Sequence, residues 1–207
     1  FKMISNSITD GINGEAIIPG DKSISHRSII IPSISNGITE INNILKSEDV
    51  LHTLNAFKAM GVKILNNNER IIIFGNGLNS LKKPDEVIYL GNSGTSARWL
   101  TGLLSSQKFD CTLTGDNSLS KRPMKRISDP LSKMNAKIQT ANGGCLPIKI
   151  YGKNLEARHI DLKLPSAQIK SGILLASLNT KGQTRITENK ITRDHTEKML
   201  ESFGADI

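Results

Sequence analysis

"NAFKAMGVKI" at 55–64, "DPLSKMNAKI" at 129–138 and "EKMLESFGADI" at 197–207 end alike: a large apolar residue, Gly or Asn, a smaller apolar residue, one polar position and isoleucine. Each reads as a helix that stops at a left-handed Gly61, Asn135 or Gly204 and turns toward a strand, with Met60, Met134 or Phe203 anchoring the helix end. The closing isoleucines, Ile64, Ile138 and Ile207, recur about every 70 residues, the mark of a repeated supersecondary unit.

Working outward, apolar periodicity predicts helices over 25–35, 48–60, 94–106, 123–135, 167–178 and 194–203. Alternating and β-branched runs between them predict short strands: "EAIIP", "GITEINNI", "VKILN", "RIIIFG", "EVIYLG", "CTLTG", "AKIQT", "LPIKIYG", "HIDLKL" and "QTRITE". The unit is therefore strand, helix, strand, helix, strand, strand, an α/β (α+β) architecture. Its three copies fall at about 13–80, 81–152 and 153–207, and the third stops before its last two strands. That pattern is expected of a chain continuing into a larger protein.

Composition narrows the function. With 207 residues and 37% hydrophobic content the chain can bury a real core. Neither the polar opening "FKMISNSITDG" nor short apolar runs such as "GILLASL" suit a leader or a membrane span, so a soluble, cytoplasmic protein is expected. Cys111 and Cys145 lie far apart without a CxxC partner, which argues against a zinc site or disulfide framework and for two small, partly buried side chains. The net charge of +8, from 27 basic and 19 acidic residues, calls for an anionic partner. Aromatic content of 4% and the lack of a long basic block disfavour nucleic acid and leave a small, highly charged ligand.

The chemistry collects where the first helix of each unit begins. "GDKSISHR" (20–27), "GNSGTSAR" (91–98) and "PSAQIKSG" (165–172) are rich in small and hydroxyl residues, which let an anion approach the free N–H groups of a helix start. Ser23, Ser93 and Ser166 suit N-caps. Lys22, Arg27, Arg98, Arg122 and Arg193 sit at or near helix starts, where a cation opposes the helix dipole and a bound anion would offset it. "GDKS" lacks the earlier glycine of a P-loop, and "GNSGTS" is not the dinucleotide-binding GxGxxG. His26, His52, His159 and His195 show no metal-ligand spacing; His26 and His195 lie beside the candidate ligand residues, where a structural hydrogen bond or tuning of the site suits them.

Taken in order, "GDKSISHR", "LGNSGTSAR", "GDNSLSKRPM", "LPSAQIKSGILLASL" and "TRDHTEKML" resemble the successive signatures of the 5-enolpyruvylshikimate-3-phosphate (EPSP) synthase family, or 3-phosphoshikimate 1-carboxyvinyltransferases. The resemblance runs through essentially the whole chain. It implies the inside-out α/β barrel of enolpyruvyl transferases, in which this chain is the first of two domains, each of three βαβαββ units. Residues 13–207 would form that domain, and residues 1–12, with an opening strand near 2–8, would belong with the second. The implied reaction moves the enolpyruvyl group of phosphoenolpyruvate onto the 5-hydroxyl of shikimate 3-phosphate and releases phosphate, without metal or organic cofactor.

Carried over position by position, the resemblance makes Lys22 the catalytic residue, touching both substrates. It assigns shikimate 3-phosphate to Lys22, Ser23, Arg27, Ser166, Ala167, Gln168 and Arg193, and phosphoenolpyruvate to Lys22, Asn92, Gly94, Arg122 and Gln168. It further implies a proton-transfer acid in the other half, no turnover by this chain alone, a monomer at full length, and inhibition by glyphosate where Gly94 is kept. Two other readings stand beside it. UDP-N-acetylglucosamine enolpyruvyl transferases share the fold but carry Lys-Asn where this chain has Lys22-Ser23, and a basic nucleic-acid-binding module would fit the charge alone.

Overall fold

The computed structural model describes residues 14–16, 18–67 and 70–207. Residues 1–12, with the expected opening strand, lie outside them. The described residues contain six α-helices: α1 (Lys22–Ser33), α2 (Glu48–Ala59), α3 (Gly94–Ser105), α4 (Lys125–Lys133), α5 (Ala167–Ser177) and α6 (His195–Ser202). Nine strands alternate with them: β1 (Asn36–Asn42), β2 (Lys63–Asn66), β3 (Arg70–Asn76), β4 (Ile88–Tyr89), β5 (Cys111–Thr114), β6 (Lys137–Ala141), β7 (Cys145–Tyr151), β8 (His159–Leu162) and β9 (Arg185–Glu188).

The repeat is visible in the sheets. In the middle unit the order is β4-β5-β7-β6, with β4 and β5 parallel and the other pairs antiparallel. The first unit shows the same arrangement as β1-β3-β2, and the third as the parallel pair β8-β9. Each parallel pair is joined through a helix, as a parallel pairing requires. The "EAIIP" stretch departs from expectation: Glu15, Ala16, Ile18 and Pro19 form no strand, and Ile17 is not described. Ile18 is 74% exposed and Pro19 has no N–H to give a ladder, so nothing holds these four in a sheet.

The helix stops fall where the repeat places them. Gly61, Asn135 and Gly204 all have positive φ, at 86°, 66° and 86°. Met60 and Met134 are fully buried and belong to the hydrophobic core. Phe203 is not the anchor expected, being 36% exposed, while Leu200, one turn earlier in α6, is 2% exposed.

The first helix of each unit lies inside and the sheets lie outside. Ile29, Ile30 and Ile31 are successive residues of α1, yet all are buried, so beyond its exposed first turn that helix has no solvent face. Helices α3 and α5 meet backbone to backbone: a Cβ on Gly102 would fall 1.9 Å from the carbonyl oxygen of Gly172. Only glycine permits that approach. With α1, α3 and α5 packed as equivalent parts of one repeat, their N-termini share one end of the molecule. Among the described residues no helix is long and apolar enough to cross a membrane.

Candidate active site

Each of the three helix starts is capped by a side chain. Asp21, not Ser23, caps α1: its Oδ1 accepts the Ile24 N–H at 2.8 Å, leaving Ser23 in the first turn. A carboxylate is both a strong acceptor and a favourable charge at a helix N-terminus, so it displaces the hydroxyl two residues later. Ser93 caps α3 by accepting from Ser96 N–H, and Ser166 caps α5 by accepting from Ile169 N–H. Gly91 shapes the approach to α3 with φ of 55°, and a Cβ there would fall 2.4 Å from the His52 ring.

These starts surround a cleft of about 170 Å³ lined by Ser23 and Arg27 of α1, Thr95 and Trp99 of α3, Ala167 and Gln168 of α5, and Arg193 and His195 at the start of α6. Of the residues expected to bind shikimate 3-phosphate, Ser23, Arg27, Ala167, Gln168 and Arg193 are brought together here. Lys22 and Ser166 do not line this cleft. The Lys22 ammonium instead pairs with Asp49 of α2, a partner no local motif announces.

Arg27 is the most constrained group of the cleft. It is 4% exposed; its Nε donates to Thr196 Oγ1 at 2.6 Å, Nη1 to the Ser23 carbonyl at 3.0 Å and Nη2 to Ser171 Oγ at 3.4 Å. Its guanidinium stacks on the Trp99 ring, Cζ 4.4 Å from the centroid. Burial lowers its pKa from 12.5 to about 10, with Arg193 adding to the fall and Glu197 and Asp21 opposing it. Arg27 stays protonated at neutral pH, but a shift of that size means roughly 3 kcal/mol of unfavourable burial. A bound anion offsets that cost, and a guanidinium presents two parallel N–H groups to one.

A buried triad fixes the α6 side. Lys170, 8% exposed, donates to Glu188 at 2.9 Å and lies 2.7 Å from Glu197. Burial works against its charge, yet hydrogen bonds to Glu197 and Glu188 outweigh this and raise its pKa. Thr196 and Ser171 share a hydrogen bond of 2.6 Å and both meet Arg27, so α6 is locked to α5 and α1 at the cleft. None of these partners was legible in the motifs.

His26 underpins the cleft without entering it. Fully buried, it bonds through Nδ1 to Thr53 Oγ1 at 2.8 Å and faces Ser96 Oγ at 3.3 Å, joining α1, α2 and α3. Burial lowers its pKa from 6.5 to about 4, Lys22 and Arg27 adding to the fall and Asp49 opposing it. The imidazole is neutral and structural. His195, by contrast, lines the cleft.

Of the residues expected for phosphoenolpyruvate, Asn92, Gly94 and Arg122 form a second, more open group, while Gln168 lies in the first cleft and Lys22 in neither. Arg122 donates to the Asn92 side-chain oxygen and, at 3.3 Å, to Ser118 Oγ. Arg98 Nη1 donates to the Gly94 carbonyl at 3.1 Å. A Cβ on Gly94 would meet Arg98 Nη1 at 2.9 Å and Arg122 Nη1 at 3.3 Å, so the bare glycine leaves room for both guanidiniums. Burial lowers the Arg98 pKa, followed by repulsion from Arg126 and Arg122. Among the described residues none of these three arginines makes an ion pair, which leaves a concentration of positive charge beside Gly94. Gln168 is fixed within the first cleft, its Nε2 donating at 3.0 Å to Oγ1 of Thr95, the residue after Gly94.

No cluster of three His, Cys, Asp or Glu suited to a metal occurs among the described residues. Cys111 is buried and its thiol is pushed up to about 12 by that burial, which suits packing and not nucleophilic chemistry.

Comparison with known proteins gives the family. The family model for EPSP synthase (3-phosphoshikimate 1-carboxyvinyltransferase) matches residues 7–207. The 3-phosphoshikimate 1-carboxyvinyltransferase of Ruthia magnifica is 54% identical over 200 residues, covering 96% of this chain and 46% of the relative. That of Bacillus cytotoxicus is 46% identical over 95% of this chain and 47% of the relative. The EPSP synthase structure from Acinetobacter baumannii superposes with a TM-score of 0.90 at 52% identity, covering 93% of this chain and 44% of that one. The chain thus spans about half the length of the curated relatives it matches. Neither the nucleic-acid module nor the UDP-N-acetylglucosamine transferase is favoured by these likenesses. With the fold, the motifs and the family model in agreement over nearly all its residues, the chain belongs to the EPSP synthase family, with the inside-out α/β fold of that family.

Proposed function

We propose that this chain supplies the shikimate 3-phosphate-binding half of an enzyme that transfers the enolpyruvyl group of phosphoenolpyruvate to the 5-hydroxyl of shikimate 3-phosphate. The carrying observation is the cleft in which Ser23, Arg27, Ala167, Gln168 and Arg193 converge from α1, α5 and the start of α6. In this reading Arg27 and Arg193 take anionic groups of shikimate 3-phosphate, with Ser23, Ser166, Ala167 and Gln168 fixing its orientation. The Arg122, Asn92 and Gly94 group receives phosphoenolpyruvate, and Gln168 reaches toward both substrates.

The chemistry is addition followed by elimination. The 5-hydroxyl oxygen bonds to C2 of phosphoenolpyruvate, C3 gains a proton, and the hydroxyl proton leaves to a base. The tetrahedral intermediate then loses that C3 proton and phosphate, restoring the double bond. Lys22, held by Asp49, stabilises the charge that develops on the phosphate oxygens, an electrostatic role in a site that mainly positions its substrates. The acid and base of the proton transfers come from the other half, and the chain alone does not turn over. The complete protein acts in the cytoplasm as a monomer, without metal or organic cofactor, and glyphosate inhibits it at the Gly94 group.

The test is phosphate release from phosphoenolpyruvate in the presence of shikimate 3-phosphate, using a protein that joins this chain to the half its relatives add. Lys22→Ala abolishes the expected turnover; full turnover in that variant overturns the assignment.

A further inference from the structure

Trp99 is the single tryptophan of the chain, and it touches elements of all three units. It belongs to α3 and is 2% exposed. Its ring lies on the Arg27 guanidinium of α1, Cζ 4.4 Å from the centroid, and meets the His26 ring edge to face at 6.2 Å. Its Nε1–H donates to the Gln168 carbonyl of α5 at 3.0 Å.

Each contact constrains a cleft residue. The guanidinium carbon lies over the indole ring, which limits where the group can move. Bonds from Nε to Thr196, from Nη1 to Ser23 and from Nη2 to Ser171 set its rotation. A guanidinium has five N–H groups, so one on Nη1 and one on Nη2 remain for a ligand. At Gln168, Trp99 holds the main-chain carbonyl while Thr95 holds the side-chain amide at 3.0 Å. The orientations of two ligand-facing residues therefore depend on one ring.

We propose that Trp99 is a positioning residue for shikimate 3-phosphate, acting through the Arg27 guanidinium it stacks on and the Gln168 carbonyl it holds. This rests on the functional reading above. Because Trp99 also lines the cleft, its fluorescence reports occupancy of that cleft.

The experiment uses the 207-residue chain, its folding followed by circular dichroism, titrated with shikimate 3-phosphate by calorimetry and by tryptophan fluorescence. We expect a saturable fluorescence change whose midpoint matches the calorimetric Kd. Trp99→Leu weakens binding about tenfold, and Trp99→Phe, which keeps a ring over Arg27 but loses the Nε1 bond, about threefold. In an Arg27→Ala background the same Trp99→Leu change costs only about threefold, the share carried through Gln168, because the guanidinium it positions is gone. Equal losses in both backgrounds, or none in either, overturn the proposal while leaving the functional reading intact. Should Trp99→Leu fail to fold, Trp99→Phe with unchanged affinity, or fluorescence unmoved while calorimetry reads binding, overturns it as well. No binding to the folded parent chain overturns the functional reading itself, and the proposal with it.

Discussion

The two arginine groups of the site solve opposite problems. Arg27 is buried, with Nε, Nη1 and Nη2 each bonded to the protein and one face stacked on Trp99. Arg122 lies more open, resting on Asn92 and Ser118, and shares its surroundings with Arg98 and Arg126 without an ion pair among the described residues. The first group is rigid before any ligand arrives, with Glu197 near enough to support the buried charge. The second is an accumulation of charge around a bare glycine. In the proposed reading, shikimate 3-phosphate meets a group already fixed in place, and phosphoenolpyruvate one held more loosely.

The buried group is the easier to break. Lys170→Met leaves the partly buried Glu188 and Glu197 without their cation and should destabilise the chain by about 2–3 kcal/mol, seen as a lower urea midpoint. Arg27→Ala removes charge-assisted hydrogen bonds and should weaken shikimate 3-phosphate binding on the order of a hundredfold by calorimetry.

Acid attacks the same region through His26. The unfolded imidazole titrates near 6.5 and the folded one at about 4, so the unfolded chain takes the proton first. The stability is fully present above pH 6.5 and is lost as pH falls toward 4, amounting to about 2 kcal/mol by pH 5. Thermal melts between pH 7 and 5 should show a fall that is reduced in His26→Gln.

The open group should hardly respond in the same measurements. Arg122→Ala is expected to change shikimate 3-phosphate affinity by less than about threefold, as a rim charge does. Gly94→Ala should change stability by under about 1 kcal/mol, since the new methyl meets the movable ends of two arginines and not backbone. Its effect should appear instead as weaker binding of phosphoenolpyruvate or glyphosate once both halves are present. An Arg122 variant as damaging to shikimate 3-phosphate binding as Arg27→Ala would erase the distinction between the groups.

The sequence carried the repeat because its signals are local. A left-handed stop at Gly61, Asn135 and Gly204, and small residues where α1, α3 and α5 begin, follow from backbone sterics that each segment carries alone. The cap of α1 was ambiguous locally, since Asp21 and Ser23 both suit it, and only the Asp21 to Ile24 bond decides. Thr196, Ser171 and Glu197 escaped notice for a different reason: their meaning comes from α5 and α6 packing against α1, which no window of sequence contains. Phe203 shows the reverse error. Its motif matches Met60 and Met134, yet they are fully buried and it is 36% exposed, because burial is set by tertiary packing that a local motif does not contain.

In the proposed reading this chain carries most of the shikimate 3-phosphate contacts and binds that ligand without its other half. Calorimetry of the folded chain with shikimate 3-phosphate alone tests it most directly. We expect one saturable site, weakened on the order of a hundredfold by Arg27→Ala and scarcely altered by Arg122→Ala. No heat of binding from a chain shown by circular dichroism to be folded would contradict it.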